Sequence, residues 1–214
     1  MKNLELHFEH ELQGRFELNE LNLLLTFQVN CPGCFFYALP LFQSLYQQYH
    51  EKKVSFLALS TAFEDFELNT KENTESLIKS GTLIGETKKA LSQQGIEKLP
   101  FAMDFPIAMD KTITEEKDLN AMANNICLLN PNFQSWSVVE QQDLLNRVLE
   151  YLKQLKHVAI TFTSNQSRGT PTVVLFNKQK EVLHHWFGHV EHSAVQLAIQ
   201  HYSEIIRANQ NLSE

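Results

Sequence analysis

The sequence predicts a mixed α/β fold, a largely buried sheet with helices on both faces. Three observations predict it. Apolar runs at residues 23–29 and 54–61 are too continuous for half-exposed strands and read as buried members of a parallel pair. Between them Phe35, Ala38, Leu39, Phe42, Leu45, Tyr46 and Tyr49 recur at three-and-four spacing, one apolar face of a helix. Strand, helix and strand in that order imply a right-handed crossover. Late in the chain, apolar runs flank a turn at 177–180, and Pro171 heads the first of them, where its missing N–H costs no ladder bond.

Composition bounds the rest. A chain of 214 residues, 43% hydrophobic with 15 phenylalanines, can bury a core as a single domain. Residues 1–214 are accordingly read as one domain, with a helical insertion at about 111–167. A net charge of −7 without a basic run argues against nucleic acid as partner. No apolar stretch approaches the roughly 18 residues of a membrane span. The start, MKNLELHFEHEL, lacks the apolar core of a secretory signal, so a cytoplasmic protein is expected. Three cysteines do not make a disulfide framework and suit a reducing compartment.

In order, Leu4, Leu6 and Phe8 alternate with polar residues as a short strand, with Phe16–Leu18 returning as a second after a turn at Gln13-Gly14. The helix from about Pro32 to His50 contains Pro40, which should kink it, and residues 31–49 hold no charged side chain. That absence fits a helix packed on most sides, with Phe35, Phe36 and Tyr37 also suited to an apolar apron around the cysteines. After the second buried strand, Asn69 and Glu72 read as a capping box opening a helix to about Lys79, and another helix reaches Ser92. A third strand is expected at 105–109, then a helix from Thr114 to about Asn124. Cys127 just beyond reads as a lone buried thiol. Ser137 and Glu140 form a second capping box before a strongly amphipathic helix, and residues 158–163 are either a strand or irregular. A final amphipathic helix starts near Glu191.

The chemistry concentrates at Cys31-Pro32-Gly33-Cys34, where the first buried strand enters its helix. A helix N-terminus carries unpaired N–H groups and about half a positive charge, so it favours an anion. Cys31 falls at the N-cap and Pro32 at the first helical position. Such siting lowers a cysteine pKa from about 8.5 into the range of roughly 3.5–7.5. Cys31 is therefore the expected attacking thiolate, and Cys34, one turn on, the resolving thiol. The alternatives are half of a zinc site or two structural thiols, but zinc needs four ligands and only Cys127 remains as a further thiol.

Together with Gly169-Thr170-Pro171-Thr172 opening the hairpin and Gly188 closing it, this motif resembles the thioredoxin fold. The lead-in at 16–21 and the helices after the second strand are most similar to its TlpA-like, peroxiredoxin-related branch. The resemblance covers about residues 14–110 and 168–208. It implies a thioredoxin-like sheet with an N-terminal strand extension and a helical insertion before a cis-proline hairpin. It implies that Pro171 is cis and that Thr170 offers backbone groups to a bound substrate, with Pro32 and Gly33 beside it. The chain departs from the family at Leu25, where thioredoxin has a buried aspartate, and at Asn30, where a tryptophan is usual. Its kinking proline comes six residues after Cys34, and Pro32-Gly33 reverses thioredoxin's order. Gln28 stands where a peroxiredoxin needs threonine, which disfavours peroxidase chemistry.

A thiol–disulfide oxidoreductase is thus expected, acting on a protein or small-molecule disulfide and recycled by a redox partner. The competing reading is a redox-sensing module whose dithiol state controls a partner docked on 111–167. No cofactor is expected. No metal is expected either, although His184, His185, His189 and His192 cluster around the last strand.

Overall fold

A computed structural model describes residues 3–113, 115–155 and 157–211, with side chains to residue 208. Its main sheet contains β1 (Phe8–Gln13), β2 (Leu21–Phe27), β3 (Val54–Ser60) and β4 (Ile107–Asp110). Two two-residue strands, β5 (Thr112–Ile113) and β6 (Val158–Ala159), pair apart from it, and β7 (Thr172–Asn177) and β8 (Val182–Phe187) complete it. The spatial order is β1-β4-β3-β2-β7-β8. β2, β3 and β4 run parallel, whereas β1, β7 and β8 each pair antiparallel with their neighbours. The helices are α1 (Leu39–Tyr49), α2 (Lys71–Ser80), α3 (Gly85–Ser92), α4 (Glu116–Leu128), α5 (Val138–Gln154), α6 (Ile160–Ser164) and α7 (His192–Asn211).

The continuous apolar run of β2 has a simple cause: both of its faces are covered. Leu21, Leu23, Leu25 and Phe27 enter the main core with α1 and with Val195 and Ile199 of α7. Leu24 points to the opposite face, where Leu57, Leu59, Val174 and Phe176 are roofed by Leu4 and Leu6. Phe42 of α1 meets Phe56 and Phe105 edge-on at 5.3 and 4.9 Å. Even Gln43 of α1 is buried, donating to Asp104 and accepting from its backbone N–H. A charge at the buried positions of this helix would be desolvated, although Ser44, Gln47 and Gln48 are exposed and uncharged as well. Immediately before α1, Cys34–Ala38 forms a wide π-turn in which Leu39 N–H reaches the Cys34 carbonyl. This irregularity stands where Pro40 deprives the helix of an N–H.

The registers bring one end of the sheet together. Phe27 lies opposite Ser60, Ser60 opposite Met109, and Thr26 opposite Thr172. The carboxyl ends of β2, β3 and β4 and the start of β7 therefore share one edge. Segment 111–167 leaves from that edge after β4 and returns to it before β7. It carries a small core of its own, built from Leu119, Met122, Ala123, Leu152 and Val158.

Several local expectations are corrected. Residues 4–7 are not a strand. Their alternation buries Leu4 and Leu6 on the sheet, while the backbone bonds go to Lys180 O, Asn165 Oδ1 and Thr161 Oγ1. The edge strand is Phe8–Gln13 instead, and 16–18 pairs with no strand, Phe16 packing edge-on against Phe8 at 6.1 Å. The cap of α2 is Thr70, whose hydroxyl accepts from Asn73 N–H, because Asn69 is engaged elsewhere. β4 begins at Ile107, as Phe105 is wholly inside the core and Pro106 has no N–H. The fourth helix extends to Leu128, so Cys127 lies within its last turn; the expected start, Thr114, lies outside the described residues. Residues 158–163 divide between β6 and α6. The Ser137–Glu140 capping box is present as expected, with both reciprocal bonds.

Candidate active site

The main chain turns at Val29-Asn30 and enters the helix at Pro32, leaving Cys31 as the N-cap residue. Cys34 N–H approaches both Cys31 O at 2.9 Å and Cys31 Sγ at 3.2 Å. The sulfur thus occupies the place of a capping oxygen, receiving one of the free amides of the first turn. Cys31 and Cys34 are paired as a disulfide with Cα atoms 5.4 Å apart. Cys31 is half-buried and Cys34 fully buried, so only the first offers its sulfur to an incoming molecule.

The opposite wall comes from the start of β7. The Thr170–Pro171 peptide bond is cis. Thr170 O lies 3.5 Å from Cys31 Sγ, and a Cβ built on Gly33 would stand 3.8 Å from Pro171 Cδ, ordinary contact. Residues separated by some 140 positions in sequence therefore face each other, Cys31 beside Thr170 and Gly33 near Pro171, with Cys34 buried. Gly188 N–H holds the Pro171 carbonyl at 2.9 Å, so the far end of the hairpin fixes the same loop. Of the aromatic apron, Tyr37 is exposed and stacks on His189 at 4.4 Å, and Phe36 is half-buried. Phe35 belongs to the core instead.

Three polar residues shape the site without having been singled out for it. Gln28, buried to 1% exposure, accepts from Thr170 Oγ1 at 3.0 Å and donates to Glu64 O at 3.4 Å. It joins the cysteine strand, the proline loop and the loop after β3. Asn30 donates its N–H to Asn69 Oδ1 and its amide to Asp65 Oδ2, and accepts from Glu86 N–H at 2.7 Å at the start of α3. Gly85 is required there: its φ is +49°, and a Cβ would fall 2.2 Å from Asn30 Oδ1. Asn69 completes the set by donating to Glu64 O. The one sequence signal was negative, namely buried amides in an apolar run that needed partners.

The remaining candidates stand apart. Cys127 is buried, and burial pushes its thiol pKa up. His184 meets Trp186, His189 stacks on Tyr37 and His192 bonds to Ser44 Oγ at 3.3 Å. Among the described residues no group of three or more His, Cys, Asp or Glu side chains converges as a metal site. No described helix is long and apolar enough to cross a membrane.

Comparison with known proteins bears on the fold. No protein-family model matches the chain, and no curated protein matches it in sequence. Among solved structures, a thiol-disulfide isomerase from Corynebacterium glutamicum superposes with a TM-score of 0.55 at 17% identity, covering 92% of each chain. A thioredoxin-like superfamily protein superposes with a TM-score of 0.57 at 20% identity, covering 95% of this chain and 96% of that one. The fold is thioredoxin-like.

Proposed function

We propose that the protein is a thiol–disulfide oxidoreductase in which Cys31 attacks and Cys34 resolves. The observation that carries this reading is a half-buried cysteine at a helix N-cap, paired with a buried one and facing the Thr170–Pro171 loop. The thioredoxin-like fold and a neighbour described as a thiol-disulfide isomerase support it.

In the reduced protein Cys31 thiolate attacks one sulfur of a substrate disulfide. That S–S bond breaks, the leaving thiolate takes a proton, and a mixed disulfide with Cys31 forms. Cys34 then loses its proton and attacks Cys31 Sγ, which expels the second substrate sulfur as a thiol after protonation. The substrate gains two electrons and two protons, and the Cys31–Cys34 disulfide remains, to be reduced by a separate redox partner. Thr170 and Pro171 hold the substrate chain across the cleft while Pro32 and Gly33 keep the near wall low. In a reducing compartment such as the cytoplasm the net direction is substrate reduction.

Replacing Cys34 with serine removes the resolving thiol and should leave mixed disulfides trapped on Cys31, visible as adducts that thiol reductants release. No adduct with Cys34→Ser, together with no disulfide reduction by the unmodified protein, defeats the proposal. A reduction potential near about −270 mV fits a reductase and one near about −120 mV an oxidant.

A further inference from the structure

A cleft of about 400 Å³ opens between the insertion and the loop after β3. Its walls include Leu144 and Val148 of α5, Phe162 of α6, Phe63 and Ser167. Phe63 and Phe162 form one wall as a parallel stack, with centroids 4.0 Å apart and planes 5° apart. This size and this mixture of apolar surface with a few polar groups are those of a small-ligand or side-chain site.

The placement of the cleft ties it to the dithiol. Phe63 belongs to the loop that Gln28 and Asn30 grip through Glu64 and Asp65. Ser167 precedes Thr170 by three residues, so their Cα atoms lie within about 11 Å of each other. Thr170 O is in turn 3.5 Å from Cys31 Sγ. A substrate chain crossing the Thr170–Pro171 wall in extended form advances about 3.3 Å per residue. About five extended residues therefore match the path from Cys31 Sγ by way of Thr170 to Ser167, which lines the cleft.

The lining also selects the occupant. Among the described lining residues most are apolar, Phe63, Ile126, Leu144, Val148, Leu155 and Phe162 among them, and Arg147 forms an exposed ion pair with Asp143 at 3.1 Å. The stacked rings and the aliphatic side chains of α5 favour a flat or branched apolar group.

We infer that this cleft is the specificity site of the enzyme and receives a large apolar side chain, aromatic or branched aliphatic, lying a few residues from the reacting cysteine of a polypeptide disulfide. The inference rests on the redox reading above and names the substrate class for it. On this view the insertion between β4 and β7 is a side-chain reader attached to the dithiol end of the sheet.

The test uses ten-residue glycine–serine host peptides bearing one cysteine as a mixed disulfide with 2-mercaptoethanol. Tryptophan is placed in turn at each of the five positions on either side of the cysteine. At one or two positions kcat/KM should rise about tenfold over the host. In Leu144→Trp and Val148→Trp, whose new rings fill the cleft, the ratio of tryptophan to host peptide should fall to about one. A uniform rate across positions, or a preference that survives both fillings, overturns the inference.

A second measurement separates this outcome from failure of the redox reading. The same peptides with serine in place of cysteine should shift the amide resonances of Ala159, Phe162 and Ser167 when they carry tryptophan, and not otherwise. Such shifts without turnover of any peptide disulfide would refute the oxidoreductase and keep the cleft. Turnover with neither positional preference nor shifts would do the reverse.

Discussion

β2 and β4, on either side of β3, end at the same edge of the sheet, and each end ties down the start of a helix with polar side chains. At β2 the groups are neutral amides, Gln28 and Asn30, with Cys31 beyond them capping its own helix by sulfur. At β4 the group is a carboxylate, Asp110, 2% exposed, which accepts from Thr161 N–H, Phe162 N–H and Thr61 Oγ1 at 2.9–3.0 Å. The two amides themselves do not titrate. The carboxylate is desolvated, and burial raises its pKa to about 6 despite the hydrogen bonds from Thr161, Phe162 and Thr61 that favour its charged form. The sheet edge thus combines an end held by neutral amides, which presents the reactive sulfur, with an end held by a buried carboxylate, which anchors α6.

The largest effect is expected at the β4 end. Asp110→Ala leaves two backbone N–H groups and a hydroxyl without their acceptor, at a cost of about 2–3 kcal/mol. Urea denaturation at pH 7 reads this directly. The pH dependence has a definite sign. The folded pKa of about 6 lies above the ordinary 3.8, so the native state holds the proton over that interval. The stabilisation linked to Asp110 is fully present below about pH 4 and is lost as pH rises through about 6. The difference in stability between the parent protein and Asp110→Asn should therefore move in the parent's favour as pH falls from 7 to 5. A flat difference would say that Asp110 does not titrate in this way.

An intermediate effect is expected from the β2 end. Asn30→Ala removes the acceptor of Glu86 N–H and the donor to Asp65, costing about 1–2 kcal/mol. Unlike the loss at Asp110 it should vary little with pH between 6 and 8. Faster hydrogen exchange at Glu86 would locate the damage at the start of α3, and a change confined to segment 111–167 would contradict the division of labour between the two ends.

The same contrast explains what the sequence made legible. Continuous apolar runs marked the strands buried on both faces, and three-and-four apolar spacing marked α1, because burial leaves its pattern in the chain. Cys31 and Cys34 were visible as a local motif, and Pro171 became their partner only through resemblance, since nothing local encodes a contact across 139 residues. Asn30 and Gln28 stood out only as departures from the family's tryptophan and threonine. Their roles depend on loops 35 to 142 positions away, which side-chain type alone does not reveal. The alternation of Leu4 and Leu6 was real but ambiguous: a buried extended segment and a paired strand share the same period of two, and only the backbone partners distinguish them. The amphipathic helix α5 was legible in segment 111–167, whereas the cleft against Phe63 required the tertiary placement of both walls.

The smallest effect separates two adjacent residues that compete for one capping role. Thr70 caps α2 by accepting from Asn73 N–H at 3.2 Å, while Asn69, next to it, accepts from Asn30 N–H at 3.0 Å beside the dithiol. Thr70→Ala should cost about 1 kcal/mol, the usual loss for a helix N-cap. Its damage should stay in α2 and leave the iodoacetamide reactivity of Cys31 within twofold of the parent. Asn69→Ala leaves Thr70 to cap the helix but removes the acceptor of Asn30 N–H, the amide one residue before Cys31. Its loss of stability should be of similar size, yet the rate of Cys31 alkylation in the reduced protein should change. Equal alkylation rates in the two variants would show that the Asn30–Asn69 bond does not position the cysteine. The neutral end of the sheet edge would then be scaffolding like its acidic neighbour.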